Sequence, residues 1–257
     1  MPSLKATERQ KLIVDALKDH GRVQIDDLVG SMGVSAVTIR NDLAQLEQAH
    51  LLRRVRGGAI AAFTSRHDGD DGLSMPTRLK EKERIVSAAV EMIRDGETMF
   101  MSSGSTAELL AAHIPSTIKD LVVVTNSINV ARILTGHDGV TVIVTGGTLR
   151  PKSNSLVSPL GDVLLREINA DLALLSASGV HETRGFTNSS WAEAEVTKAM
   201  VRAAKRVVFM ADYTKINHIA SARIVELGRA DTLITNKAAP TDFMKAARQK
   251  GLEIIAT

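Results

Sequence analysis

The sequence predicts an α/β protein in two parts: a small, mostly helical module over residues 1–62, and a larger domain built on a mainly parallel sheet over residues 78–257. Three observations carry this. In the first part, apolar residues recur at helical spacing, with Ile39, Leu43 and Leu46 at i, i+4 and i+7. From Arg78 onward, short aliphatic runs such as LVVVT from Leu121 and RVVFMA from Arg206 alternate with amphipathic stretches. That is the pattern of strands buried on both faces. Between the two parts, FTSRHDGDDGLSM (Phe63–Met75) is rich in Gly, Ser and Asp and has no apolar period, so residues 63–77 are expected to be a linker.

Composition narrows the function classes. The 257 residues include no cysteine, which excludes disulfides, thiolate metal sites and a cysteine nucleophile. A polar N-terminus and the lack of any bilayer-length apolar run lead us to expect a soluble cytoplasmic protein with no membrane partner. The net charge of +3 is too mild to argue for nucleic acid by itself, so the placement of charge matters more. Aromatic residues make up 3% of the chain, which speaks against stacking on single strands. No dinucleotide or P-loop motif occurs, so no cofactor is expected. The DGDDG run lacks the closing Glu of a Ca²⁺ loop, so no metal is expected either.

In chain order, Thr7 is a candidate N-cap for a helix over Glu8–His20 that ends at Gly21, with Leu12, Ile13, Ala16 and Leu17 inward. Arg22–Ile25 can form a short strand. Asp26 opens a second helix with Leu28, Val29 and Met32 inward, and Gly33 and Val34 supply a tight turn. Ser35 then N-caps the stretch SAVTIRNDLAQLEQAHLL. That helix leaves Val37, Thr38, Arg40 and Asn41 opposite its apolar stripe, close to its start. Such residues suit a helix entering the major groove: Arg can bridge guanine O6 and N7, Asn can read adenine, and methyls can meet thymine. An ordinary amphipathic helix with a solvated face fits the same residues, and its neighbours decide between the two. Helix, helix, turn, helix is the order of a helix-turn-helix module. In LLRRVRGGAI, which follows, Leu52, Val55 and Ile60 can pack while Arg53, Arg54 and Arg56 reach out and Gly57–Gly58 turn the chain. This reads as a basic wing for DNA backbone or minor groove, although a solvated edge would also carry such charges.

On ERQKLIVDALKDHGRV, VSAVTIRNDLAQLE and RRVRGGA, the segment Glu8–Ala59 resembles the DNA-binding domain of the DeoR-type bacterial repressors. The resemblance implies a winged helix-turn-helix on double-stranded operator DNA. It assigns DNA roles to Ser35, Val37, Thr38, Arg40, Asn41, Arg53, Arg54 and Arg56. Asp42 follows the same pattern. A carboxylate facing phosphates would be repelled, so we expect it to orient a nearby Arg.

Ligands of open α/β sheets bind beyond the carboxyl ends of the strands. The predicted strands end in Ser102–Thr106, Thr125–Ser127, Gly146–Arg150, Ser176–Gly179 and Ala211–Lys215. Small and hydroxylated residues there can cradle an anion, with Arg150 and Lys215 as cations. Ordinary β–α turns use the same residues. Glu193, Glu195 and Lys198 read as a surface ion-pair face, and Trp191 reads as packing, although it sits where it could border the ligand.

The resemblance extends to SSGST, VVTNS, VTGGTLR, SASGV, RGFTN and ADYTK, in order. It implies a sensor domain similar to ribose-5-phosphate isomerase that binds sugar phosphates. Ser103, Gly104, Ser105 and Thr106 would then hold the effector's phosphate, and Ser102, Asn126, Gly147, Arg150, Ser178, Gly179, Glu193 and Lys215 would complete the effector site. The chain departs from that pattern where many members carry Asp at the positions of Ser102 and Ser178, and Ser-Ser at Tyr213-Thr214. The missing carboxylates remove acceptors for sugar hydroxyls and the groups best suited to isomerase chemistry. Two readings follow. One is a homodimeric or homotetrameric repressor, not an enzyme, released from its operator by a phosphorylated sugar. The other is a sugar-phosphate isomerase-like enzyme using Lys215, Asp212 and Glu193. The recognition helix and wing favour the first.

Overall fold

The structure, a computed structural model, describes residues 6–20, 22–48, 52–61, 75–157 and 159–257. The chain divides into two compact units between Lys80 and Glu81. Gly21 and the 62–74 stretch lie outside the described residues.

The first unit contains α1 (Ala6–His20), β1 (Arg22–Gln24), α2 (Ile25–Met32), α3 (Ala36–Gln48), β2 (Leu52–Val55) and β3 (Gly58–Ala61). Its antiparallel sheet has the order β1-β3-β2, so the wing hairpin is completed by the strand between the first two helices. Ile13, Leu17, Leu28, Ile39, Leu43, Leu46, Leu52 and Ala59 form its core. Gly33, at φ 65°, ends α2 in the left-handed conformation and returns its N–H to the Val29 carbonyl. Ser35 Oγ accepts the Thr38 N–H at 3.2 Å, the expected N-cap of α3. Two details differ from the sequence reading. Helix α1 already includes Ala6, so Thr7 lies within it, and Leu12 is exposed rather than inward. Gly57 alone makes the turn, at φ 81°, whereas Gly58 belongs to β3. A Cβ on Gly58 would lie 2.0 Å from the Val23 carbonyl oxygen, so close strand approach requires this glycine.

The second unit begins within α4 (Met75–Val90). It continues through β4 (Thr98–Met101), α5 (Ser105–His113), β5 (Leu121–Thr125), α6 (Ile128–Leu134), β6 (Val140–Val144), β7 (Thr148–Arg150), β8 (Ser155–Val157) and α7 (Pro159–Arg166). Then follow β9 (Ala170–Ser176), β10 (Gly179–His181), β11 (Gly185–Asn188), α8 (Trp191–Arg202), β12 (Ala204–Met210), β13 (Ala222–Val225), β14 (Thr232–Thr235), α9 (Thr241–Gln249) and β15 (Glu253–Ala256). Seven parallel strands form the central sheet in the order β15-β14-β12-β9-β4-β5-β6. Phe100, Ala173, Val207, Phe209 and Leu233 of one sheet face pack with Leu165, Met200 and Phe243 of the helices. Phe186 of β11 stacks on Phe209 with centroids 3.8 Å apart, joining the small antiparallel sheet β10-β11-β13 to that core. The hairpin β7–β8 and this small sheet lack long aliphatic runs, and the pattern reading did not find them.

At the amino ends of three adjacent strands, Asp171 accepts the Thr98 N–H at 3.0 Å and the Lys205 ammonium at 2.8 Å. The bonds from Lys205 and then Thr98 hold the Asp171 carboxyl below the usual carboxylate range, and the same pair raises Lys205. A depressed carboxyl adds stability above its unfolded pKa, and that contribution is lost as pH falls through the folded value. Asp171→Asn is therefore expected to lower the melting temperature at neutral pH by about 1–3 °C. As pH falls below about 4 and through the lower folded value, wild type loses the contribution progressively and the difference is expected to shrink; thermal melts across that range check this.

Candidate functional site

On α3, Ser35, Val37, Arg40 and Asn41 are exposed, Val37 to 63%. Thr38 is half-buried, with its Oγ1 2.9 Å from Ser35 Oγ. Asp42 points the other way, into the unit. It is buried and receives Arg9 of α1 in a bidentate pair, Nε at 2.8 Å and Nη2 at 3.1 Å. The bond to Asp42 raises the already high Arg9 pKa, so this guanidinium stays charged. Gln10 donates to Gln45 at 2.6 Å, a second tie between α1 and α3. The two ties fix how α3 presents its outer face.

In the wing, Arg56 is exposed at the turn. Arg54 does not simply reach out. Its Nε lies 2.7 Å from Glu47 Oε2, and its N–H donates to Glu47 Oε1, because the last turn of α3 sets Glu47 beside β2. The Arg53 side chain is outside the described residues.

The parallel order β9-β4-β5 sets the carboxyl ends of these strands side by side. Ser102 is buried, and its Oγ accepts the Ser176 N–H at 2.8 Å, joining the ends of β4 and β9. Ser103 and Gly104 follow. Gly104, at φ 125°, is the N-cap of α5 and provides no side-chain cap, so the amides at Ser105 and Thr106 lack a side-chain acceptor from it. Lys82 of α4, 6% exposed, brings its ammonium 2.8 Å from Ser105 Oγ. Asn126, just past β5, is 2% exposed and donates Nδ2 to the Leu156 carbonyl. Among the described residues, buried Asn126 Oδ1 and Ser176 Oγ have no hydrogen-bond partner.

A second polar cluster adjoins this one through the hairpin β7–β8. Glu193 is buried and accepts hydrogen bonds from Ser153 and from Ser155, the latter at 2.7 Å. Arg150 Nη1 lies 3.6 Å from the same carboxylate. Ser155 bridges to Ser127 next to Asn126, which links the two clusters. Glu193 therefore leaves the ion-pair face that Glu195 and Lys198 do form, at 2.6 Å. Gly147, at φ 114°, leads into β7 rather than into a helix. Trp191 is 72% exposed, so it is not core packing.

Ser178 and Gly179 likewise lead into a strand. Ser178 Oγ accepts the Ser189 N–H at 3.3 Å. A Cβ on Gly179 would lie 2.5 Å from the His218 carbonyl oxygen, a packing reason for that glycine. Lys215 is half-buried on the turn Tyr213–Lys215, whose start Asp212 caps through the Thr214 N–H at 2.9 Å. The bridge between Val180 and Ile216 sets this turn beside β10.

The sequence reading missed Lys82, and it placed Ser176 at a strand end without naming it among the effector residues. Lys82 had a signal, because it stands four residues before Val86 and seven before Ala89, in the buried stripe of α4. A lysine in such a stripe needs a reason. Among the described residues there is no cluster of His, Asp or Glu suited to a metal, and no helix is long and apolar enough to cross a membrane.

A family model described as the DeoR C terminal sensor domain matches residues 77–237. The chain belongs to the DeoR family. A DeoR-like helix-turn-helix domain model matches residues 9–64. The HTH-type transcriptional regulator GlpR of Haloferax volcanii is 30% identical over 96% of this chain and 96% of its own length. The HTH-type transcriptional repressor GlcR of Bacillus subtilis is 29% identical over 97% of this chain and 96% of its own. The glycerol-3-phosphate regulon repressor of Escherichia coli K12 is 27% identical over 98% of this DeoR-family chain and 99% of its own. A D-ribose-5-phosphate isomerase in complex with phospho-erythronic acid aligns over 53% of each chain at 17% identity with a TM-score of 0.41, too distant to bear on function.

Removing one member of a buried, bidentate pair takes an ideally placed partner from the other charge. Asp42→Asn is expected to lower the melting temperature of the first unit by about 5 °C or more. The double variant Arg9→Met/Asp42→Leu is expected to recover most of that loss, and calorimetry on the full chain checks both.

Proposed function

We propose that this DeoR-family chain is a cytoplasmic repressor of a carbohydrate-catabolism operon, released from its operator by a phosphorylated sugar. One observation carries the effector half: a buried ammonium, Lys82 Nζ, meets the start of α5 at Ser105, beside the unpartnered Asn126 Oδ1 and Ser176 Oγ. A phosphate there would meet both the ammonium and the helix amides. The two unpartnered oxygens can then accept hydroxyls of the same ligand. Ser102–Thr106, Asn126 and Lys82 form the centre of this site. Gly147, Arg150, Ser178, Gly179, Glu193 and Lys215 are its outer wall. The groups an isomerase would need are already engaged: Asp212 caps a turn and Glu193 holds two serines, which favours a sensor over a catalyst. Repressors named for a phosphorylated small molecule among the relatives support the ligand class.

In the DNA half, residues 1–62 bind operator and residues 63–77 connect to the effector domain. Val37, Arg40 and Asn41 read bases, while Ser35 and Thr38 hold the start of α3 and add backbone contacts. Arg56 and Arg53 meet phosphate, and Arg54 serves mainly through Glu47. A small winged module binds weakly alone, so a homodimer or homotetramer on repeated half-sites is expected.

Fluorescence anisotropy against the chain's own upstream DNA, at two salt concentrations, tests this reading. Ribose 5-phosphate, glucose 6-phosphate, fructose 6-phosphate and glycerol 3-phosphate are then added in turn. Arg40→Ala is expected to cost about 1–3 kcal/mol of operator binding. Arg56→Ala is expected to reduce the salt slope by about one. One of the phosphates is expected to weaken operator binding about tenfold or more. Lys82→Met is expected to weaken that ligand about tenfold or more by calorimetry. Unselective binding, with Arg40→Ala matching wild type, overturns the repressor reading, and turnover of a sugar phosphate favours the enzyme.

A further inference from the structure

The covalent path between the two units runs through α4, because their division falls inside that helix, between Lys80 and Glu81. The next two residues, Glu81 and Lys82, are both held from within the second unit. Lys82 is gripped through its side chain, at Ser105. Glu81 is gripped through its backbone, because its carbonyl accepts Asn236 Nδ2 at 3.1 Å.

Asn236 follows β14 and is 1% exposed. Its Oδ1 accepts the Tyr213 N–H at 3.2 Å, at the start of the turn that carries Lys215. Its Nδ2 also reaches Thr257 Oγ1 at 3.4 Å. Both ends of the amide are therefore in use, and they join a wall of the site to the backbone of α4. We infer that Asn236 is a positioning residue that passes occupancy of the effector site, through the Tyr213–Lys215 turn, to the first turn of α4 within the second unit. This rests on the effector reading given above.

The physical reason lies in which atoms are joined. A ligand anion that draws Lys215 inward displaces the turn to which Lys215 belongs. The Tyr213 N–H is fixed to one end of a planar amide, and the other end is fixed to a main-chain carbonyl of α4. A buried amide with every group satisfied resists losing either bond, since each would leave an unpaired polar atom. The turn and the helix therefore shift together. Moving the Glu81 backbone moves the helix itself, whereas moving a side chain would not. At the neighbouring residue, an anion at Ser105 also draws on Lys82, so two walls of one site act on adjacent positions of one rigid element. That gives an effector different contacts in two arrangements of the helix, which coupling requires.

The test uses the full chain with Asn236→Asp, which keeps the acceptor for Tyr213 and replaces the donor to Glu81 with an oxygen. Hydrogen exchange without ligand is expected to show residues 81–88 and 212–216 losing protection together, by about tenfold. Loss confined to 212–216 overturns the inference. In the anisotropy assay, ribose 5-phosphate, glucose 6-phosphate and glycerol 3-phosphate are the probes. The probe that releases wild type about tenfold or more is expected to release Asn236→Asp less than about threefold, although it binds the variant with affinity within about threefold. Full release of the variant overturns the inference. Thr257→Ala, which leaves the bridge between Tyr213 and Glu81 in place, is expected to release as wild type does, and loss of release there also overturns it. If no probe releases wild type, the effector reading has failed, and the exchange comparison alone decides the role of Asn236. Asn236→Ser serves in its place where circular dichroism shows that the aspartate does not fold.

Discussion

The sensor unit depends on holding an ammonium at the start of α5. A lysine is rarely buried without a polar partner. Lys82 sits 6% exposed, 2.8 Å from Ser105 Oγ. The parallel sheet makes this arrangement possible. It sets the ends of β9, β4 and β5 next to one another, so Ser176, Gly104 and Asn126 converge on the same corner as α4. Gly104 is the second requirement. Its φ of 125° is hard for any other residue to adopt, and it turns the chain into α5 without supplying a side-chain cap. This corner is thus shaped by a backbone conformation, a helix end and a buried lysine.

The DNA-binding unit is governed by a different charge pair. Arg9 and Asp42 lock α1 to α3, and the lock works because Asp42 lies on the opposite side of α3 from Val37 and Arg40. A recognition helix needs a fixed orientation more than a low energy. A bidentate pair supplies direction where a methyl contact would allow the helix to roll. The wing has its own brace, because Glu47 fastens Arg54 to the end of α3. In both units, then, some of the charges that look like ligand contacts in sequence are structural.

Much of this was legible in the sequence because period carries it. The α3 stripe of Ile39, Leu43 and Leu46, the Ser35 cap and the long strands of the central sheet all follow from spacing and turn chemistry. The role of Asp42 followed from electrostatics. What stayed hidden has physical causes. The strands β7, β8, β10, β11 and β13 are too short to show alternation, so Gly147 and Ser178 looked like β–α turns. Glu193 shares a helix with Glu195 and Lys198, and helical spacing alone could not tell that it turns inward to Ser153 and Ser155. Trp191 looked like core because tryptophan is usually covered, yet it is 72% exposed. Lys82 was visible as a lysine in an apolar stripe, but its partner is Ser105, 23 positions away in sequence. Sequence spacing does not report contacts of that range.

The most direct measurement of the central claim is an amide chemical-shift titration of the full chain with inorganic phosphate. If the start of α5 and Lys82 form an anion site, the amides of Ser103–Thr106 shift in a saturable way and Lys82→Met abolishes the saturation. If those amides stay still while signals around Arg150 or Lys215 move, the anion is held elsewhere and the account of the sensor unit is wrong.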